Sequence, residues 1–114
     1  MTDHRVFVYG TLKQGFPLND YLQNAEYEGR DFLLGKMFTL GPFPVVIPAE
    51  KGRRIVGEVY KITTPILKLL DAVEGYPSMY KRDIFKLTSG KEAFVYYMDK
   101  APKGAMEVRG GEWT

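Results

Sequence analysis

The run Val6-Phe7-Val8-Tyr9, β-branched and aromatic and cut off at Gly10, constrains this chain most. Side chains of that kind suit a pleated, buried surface, so the run predicts an interior strand that opens at the glycine into a tight loop. Residues 25–40 carry Phe32, Leu33, Leu34, Met37, Phe38 and Leu40, with Gly29 and Gly35 as bends or bulges, and predict one or two further strands. Residues 55–62 interleave Val56, Val59 and Tyr60 with Gly57, Glu58 and Lys61 in the manner of a strand. Two more strand-like runs, 80–87 and 92–98, flank Thr88-Ser89-Gly90-Lys91, whose composition is that of a hairpin turn. Between the early and middle strands, Gly41-Pro42-Phe43-Pro44 and Pro48 predict a loop, because proline cannot donate to a sheet ladder.

Helical spacing occurs twice. Over residues 17–24, Pro17 suits a first turn and Leu18, Tyr21 and Leu22 recur on one side. The second stretch begins at a cap, Thr63 or Thr64, with Pro65 in its first turn. Its residues Ile66, Leu67, Leu69, Leu70 and Val73 form a face wide enough to bury. Gly75 ends it by taking a left-handed conformation, which leaves Glu74 at the helix's C-terminal end. Beyond Lys100 the chain reads as irregular, with Trp113 folded back for burial. The sum is an α+β domain occupying residues 1–114. Its frame is a small, strongly bent mixed sheet or a closed β-barrel of about six strands, with two short α-helices. A chain of 114 residues buries roughly two-thirds of its unfolded surface, so neither a metal nor a disulfide is needed for folding.

Composition then removes whole classes of chemistry. With no cysteine there is no thiol nucleophile, no Cys-ligated zinc or iron–sulfur cluster and no thiol switch. The one histidine, His4, sits near a chain end and serves neither a triad nor a metal cluster; it reads as a solvated terminal residue. The 16 basic and 14 acidic residues are interspersed, so nucleic acid is not an expected partner. Neither GxxxxGK[ST] nor GxGxxG is present, and no cofactor is expected. The apolar run at Val6 is too short for a signal peptide, and no stretch reaches the roughly 18 apolar residues of a membrane span. A cytoplasmic protein, monomer or homodimer, is the expectation.

Two segments keep the layout of a site. Backbone N–H groups of Gly10, Thr11 and Leu12 are able to form a concave nest for a carboxylate, the alternative being an ordinary strand-to-helix turn. Glu74 stands where the helix carries partial negative charge and where Tyr76 and Tyr80 would bury it; both effects raise a carboxyl pKa toward the range of a proton shuttle. The alternative is a surface glutamate at a helix end. Asp71 lies on nearly the same helix face, suited to accept a hydrogen bond from Arg82, and its charge would favour a protonated Glu74.

VFVYGTLKQG over residues 6–15 resembles the N-terminal strand and Y-G-[ST]-[LN] loop of the γ-glutamylcyclotransferase-like family, which includes the AIG2-like proteins and the γ-glutamylamine cyclotransferases. LDAVEGYPSMYKR, residues 70–82, resembles the segment bearing that family's catalytic glutamate, and GPFPVVIP its Gly/Pro-rich stretch. The resemblance implies that Glu74 is the general acid/base and that Tyr9, Gly10, Thr11 and Leu12 line the pocket for the γ-glutamyl carboxylate. It also implies a small-molecule γ-glutamyl amine or peptide as partner, with 5-oxoproline as product. Tyr80 is a candidate to steady the oxyanion. Many relatives carry Asn-His after the glycine loop where this chain has Asn19-Asp20, so Asp20 either favours a cationic leaving group or faces solvent. A non-catalytic module binding a small anionic metabolite is the competing reading. Glu74 speaks against it, since a binding module has no need of a carboxylate that repels its ligand.

Overall fold

In the computed structural model, which describes residues 3–114, the 6–9 run lies where burial is greatest. Strand β1 (Asp3–Val8) pairs antiparallel with a strand over Arg53–Thr63 and parallel with one over Glu92–Tyr97. Both faces of β1 are covered, which is why its second half has no polar residue. Val6 and Val8 enter a cluster with Leu67 and Leu70. Phe7 and Tyr9 enter another with Met37, Val46 and Val95, against which Val108 and Trp113 pack.

In chain order the strands are β1, β2 (Glu26–Leu40), β3 (Phe43–Pro48), β4 (Arg53–Thr63), β5 (Lys81–Lys86), β6 (Glu92–Tyr97) and the short β7 (Met106–Glu107). They form one seven-stranded sheet in the order β3-β2-β4-β1-β6-β5, with β7 added to β2. The expected bent mixed sheet is thus present as a curled half-barrel. A hydrogen bond from Met98 N to Val46 O (3.2 Å) draws the end of β6 toward the edge strand β3, but among the described residues no ladder closes a barrel.

Residues 25–40 give one strand of 15 residues, kept continuous by a bulge between Tyr27 and Gly29 that absorbs the misfit against β4. The loop expected over the prolines is instead β3. Pro44 pairs with Thr39 and Pro48 with Gly35. Because β3 is an edge, its ladder lies on one side only and missing N–H groups are tolerated. The β5–β6 hairpin turns over residues 88–91, as the composition predicts.

The first helix, expected as α-helical over 17–24, is a 3₁₀ helix over Pro17–Leu22. Leu18 N and the Asn19 side chain bond back to Thr11 O (3.0 Å) and Leu12 O (2.9 Å), so its start belongs to the preceding loop, and the element is too short to settle into wider turns. Helix α1 (Thr64–Glu74) follows the extended cap residue Thr63, and Gly75 ends it at φ 67°, ψ 33°, a left-handed conformation that a side chain would disfavour. His4 is not solvated: half-buried, its Nε2 lies 3.0 Å from Thr64 Oγ1 and its ring tilts against Phe94. It ties the start of β1 to the start of α1. No helix among the described residues is long and apolar enough to cross a membrane.

Candidate active site

A cavity of about 90 Å³ opens where the end of β1, the C-terminal end of α1, the start of β3 and β6 meet. Tyr9, Gly10, Thr11, Leu12, Glu74 and Tyr80, distant in sequence, all line it. Two wider depressions, of about 750 and 450 Å³, lie elsewhere on the surface and are lined by none of these residues.

The loop is held by bonds within itself and by one to β4. Lys13 N donates to Gly10 O (3.0 Å), Phe16 N to Lys13 O (3.1 Å), and Gln14 N to the Glu58 carboxylate (2.9 Å). The carbonyls of Gly10, Thr11 and Leu12 accept from Lys13 N, Leu18 N and Asn19 Nδ2, whereas the N–H groups of the same three residues find no acceptor among the described residues. Such a set of free donors is what an anion-binding nest requires. Gly10 is needed for a steric reason: a Cβ there would lie 2.5 Å from Pro44 Cγ, so only glycine lets the loop approach β3 this closely.

Glu74, the last residue of α1, is half-buried at the cavity wall, and its carboxyl has no hydrogen-bond or ion-pair partner among the described residues. Burial pushes its pKa from 4.5 up to about 7. The expected help from Asp71 is not among the causes. Asp71 is itself matched: Arg82 Nη1 reaches its Oδ2 at 2.5 Å and the Tyr96 hydroxyl donates to its Oδ1 at 2.7 Å. Arg82 in turn lies 4.7 Å over the rings of both Tyr76 and Phe94. The result is a rigid base under the end of α1 that leaves Glu74 as the free carboxylate.

Three tyrosines stiffen the wall. Tyr9 donates its hydroxyl to Tyr96 O (2.6 Å) and Tyr80 donates to Pro44 O (2.8 Å). Burial holds the Tyr9 hydroxyl well above its usual pKa and lifts Tyr80 to about 12, so both stay neutral. Since the single proton of Tyr80 is committed to Pro44, donation to an oxyanion would require the hydroxyl to leave that carbonyl. Asp20 is exposed and does not line the cavity, while Asn19 bonds to Leu12 O and the Tyr60 hydroxyl.

Sequence reasoning missed Tyr96, Phe43 and Pro44. Tyr96 was within reach: alternation along β6 puts Phe94 and Tyr96 on the α1 side and Ala93 and Val95 on the other. Phe43 and Pro44 lay in the segment taken for a loop, and nothing local in the sequence marks that segment as an edge strand beside the cavity.

Comparison with known proteins gives a consistent result. A sequence model of the family described as "Gamma-glutamyl cyclotransferase, AIG2-like" matches residues 6–114. The γ-glutamylaminecyclotransferase of Bos taurus is 40% identical over 88 residues, covering 68% of this chain and 52% of the relative, so the chain spans about half that protein's length. A γ-glutamylcyclotransferase candidate of Methanocaldococcus jannaschii is 39% identical over 98 residues, covering 81% and 82%. Among solved structures, an AIG2-like protein of Mus musculus superposes with a TM-score of 0.78 at 27% identity, covering 90% of this chain and 82% of that one. An uncharacterized protein of Pyrococcus horikoshii gives 0.79 at 25%, covering 96% and 88%.

Proposed function

The chain belongs to the AIG2-like γ-glutamyl cyclotransferase family, and from that premise we propose that it converts a γ-glutamyl amine or γ-glutamyl peptide to 5-oxoproline and the free amine. Such a substrate already holds its α-nitrogen one ring closure from its γ-carbonyl. The protein therefore has to fold the substrate and move protons, and correct folding captures an effective molarity that can reach on the order of 10⁵ M.

In this reading the N–H groups of Gly10, Thr11 and Leu12 take the substrate α-carboxylate. The Glu74 carboxylate removes a proton from the α-ammonium, and the freed amine attacks the γ-carbonyl carbon. Glu74 passes that proton to the amide nitrogen of the adduct, the C–N bond to the leaving amine breaks as the carbonyl re-forms, and the second proton of the ring nitrogen then passes through the regenerated carboxylate to the departing amine, leaving the lactam. Over the cycle the α-nitrogen loses two protons and the departing nitrogen gains two, so Glu74 ends as it began. A carboxyl with a pKa of about 7 is suited to both duties near neutrality. The observation that carries the reading is that one small cavity is lined by a half-buried glutamate and by residues 10–12, with neither the Glu74 carboxyl nor the N–H groups of residues 10–12 finding a partner among the described residues.

The test is incubation of the purified chain with a panel of γ-glutamyl amides and assay of 5-oxoproline, beside Glu74→Gln. Product from the parent protein and about 10³-fold less from the variant is expected. Thermal stabilisation of both proteins by the ligand, with product from neither, would identify the non-catalytic binding module instead.

A further inference from the structure

The carbonyls behind the N–H row are pinned one by one, and the pins lead to a single side chain outside the cavity. In a trans peptide unit the C=O of one residue and the N–H of the next point in opposite directions, so a bond that fixes a carbonyl also aims the following donor. Leu18 N holds Thr11 O (3.0 Å) and thereby aims the Leu12 N–H. Asn19 Nδ2 holds Leu12 O (2.9 Å), which aims the Lys13 N–H at Gly10 O (3.0 Å), and that bond in turn aims the Thr11 N–H. Asn19 is itself held. The other proton of its amide goes to the Tyr60 hydroxyl (3.2 Å), and the hydroxyl donates to Glu58 Oε1 (3.2 Å). The same oxygen accepts from Gln14 N (2.9 Å), just beyond the row. Burial lifts the Tyr60 hydroxyl to about 12, so it keeps the proton it offers to Glu58. Glu58 sits on β4 opposite Val8, the last residue of β1, and so stands on a strand fixed to the root of the loop. Neither Glu58, Tyr60 nor Asn19 lines the cavity. No lysine or arginine forms an ion pair with Glu58 among the described residues.

We propose that Glu58 is a positioning residue: through Gln14 directly and through Tyr60 and Asn19 in relay, it sets the direction of the Thr11 and Leu12 N–H groups before a ligand arrives. The proposal rests on the reading of residues 10–12 as the seat of the substrate α-carboxylate. Donors already aimed need no reorientation when the anion binds, and that saving appears as affinity. The α-carboxylate keeps its charge throughout ring closure. Losing the aim therefore weakens the ground state and the transition state alike, which raises KM and leaves kcat in place. What Glu58 contributes is its oxygen as an acceptor for Gln14 and Tyr60, since no ion pair depends on its charge. A glutamine at the same position would supply an equivalent oxygen.

The experiment measures kcat and KM of the purified full chain on γ-glutamylmethylamide, and by calorimetry the Kd of 5-oxoproline, which carries the same α-carboxylate. Parent, Glu58→Ala, Glu58→Gln and Tyr60→Phe are compared. Glu58→Ala should raise KM and Kd together by about tenfold, the effect of two lost hydrogen bonds, with kcat within about twofold of the parent. Glu58→Gln should stay within about threefold of the parent in all three quantities, because its amide oxygen accepts the same bonds. Tyr60→Phe cuts the relay to Asn19 and leaves the Gln14 bond, so KM and Kd should rise by about threefold. A Glu58→Ala protein that melts earlier but keeps the parent's KM and Kd has lost only a structural contact, and that result overturns the proposal. A fall in kcat with KM unmoved, or a Glu58→Gln protein as impaired as Glu58→Ala, overturns it too. Should Glu58→Ala fail to fold, Tyr60→Phe decides: unmoved KM and Kd there overturn the proposal. In each of these cases turnover by the parent leaves the cyclotransferase reading standing. A parent that binds 5-oxoproline but releases none from the amide overturns that reading, and the Kd series then decides the proposal by itself. A parent that does neither overturns both.

Discussion

At the scale of single residues, the site depends on keeping one carboxyl half in and half out of water. The carboxyl of Glu74 titrates at about 7 where an unfolded glutamate titrates at 4.5, so the folded state binds more protons than the unfolded one between those values. Stability is therefore fully present below about pH 4.5 and is lost as pH rises through about 7. At pH 8 the charged carboxylate costs the fold roughly 2 kcal/mol, a figure discounted for partial exposure. Glu74→Gln should accordingly raise the melting temperature at pH 8 and leave it nearly unchanged at pH 4.5, while abolishing most turnover; a variant less stable at pH 8 would show that the burial cost is small. For the parent protein, kcat/KM should rise with pH along an acidic limb centred near 7, because the base must be ionised. Gly10 gives a steric counterpart. Gly10→Ala places a methyl group 2.5 Å from the Pro44 ring, which should push β3 away at a cost of about 1–3 kcal/mol in urea unfolding. KM should rise, since the N–H row moves with the loop.

Elements position these residues, and they differ in how far the sequence discloses them. The end of α1 was legible from Gly75 alone, and the hairpin from its turn residues, because those signals are local. The edge strand β3 was not legible: Pro44 and Pro48 forbid a central strand, and only the position of β3 at the sheet border, a property of the whole topology, makes them acceptable. The same limit applied to Asp71. Its spacing on the helix suggested a charge acting on Glu74, but contacts with Arg82 and with Tyr96, from strands 11 and 25 residues away, neutralise it. Asp71→Asn separates the two accounts. It removes the charge matched to Arg82 and weakens the hydrogen bonds under α1, which should cost about 2 kcal/mol of stability and lower kcat through a looser helix end. The acidic limb should stay near 7, since burial alone sets it. A limb that moves toward 4.5 in this variant would restore Asp71 as the cause.

For the molecule as a whole, the last residues of the chain are tied to the loop that begins the site. After β7, Val108 N bonds to Met37 O (2.7 Å) and Val56 N to Gly111 O (2.8 Å), so the tail crosses the sheet over β2 and β4. It ends with Trp113 packed on the Phe7–Met37 cluster and with the Trp113 carbonyl accepting from Lys13 Nζ at 2.6 Å. Lys13 is only 6% exposed, and burial pushes its amine down from the usual lysine range, with Glu112 and Glu58 opposing the shift. The residue just before it, Leu12, belongs to the N–H row. Folding back of Trp113 was expected on grounds of apolar burial, but its attachment to Lys13 was not, because a lysine four residues into a loop carries no mark of being enclosed. Lys13→Met keeps the length and apolar stem while removing the donor, so the carbonyl of Trp113 loses a charge-assisted bond worth about 1.5–3 kcal/mol. The chain contains one tryptophan, and its emission reports the outcome: a red shift is expected as Trp113 gains water. Faster amide exchange at Val56 should accompany it, because that N–H depends on Gly111. If the tail steadies the loop, KM for a γ-glutamyl amide should rise by roughly three- to tenfold, equivalent to about 1 kcal/mol of binding, with kcat little changed. A red shift without any change in KM would mean that the bonds from Gln14 to Glu58 and from Asn19 to Leu12 hold the loop on their own.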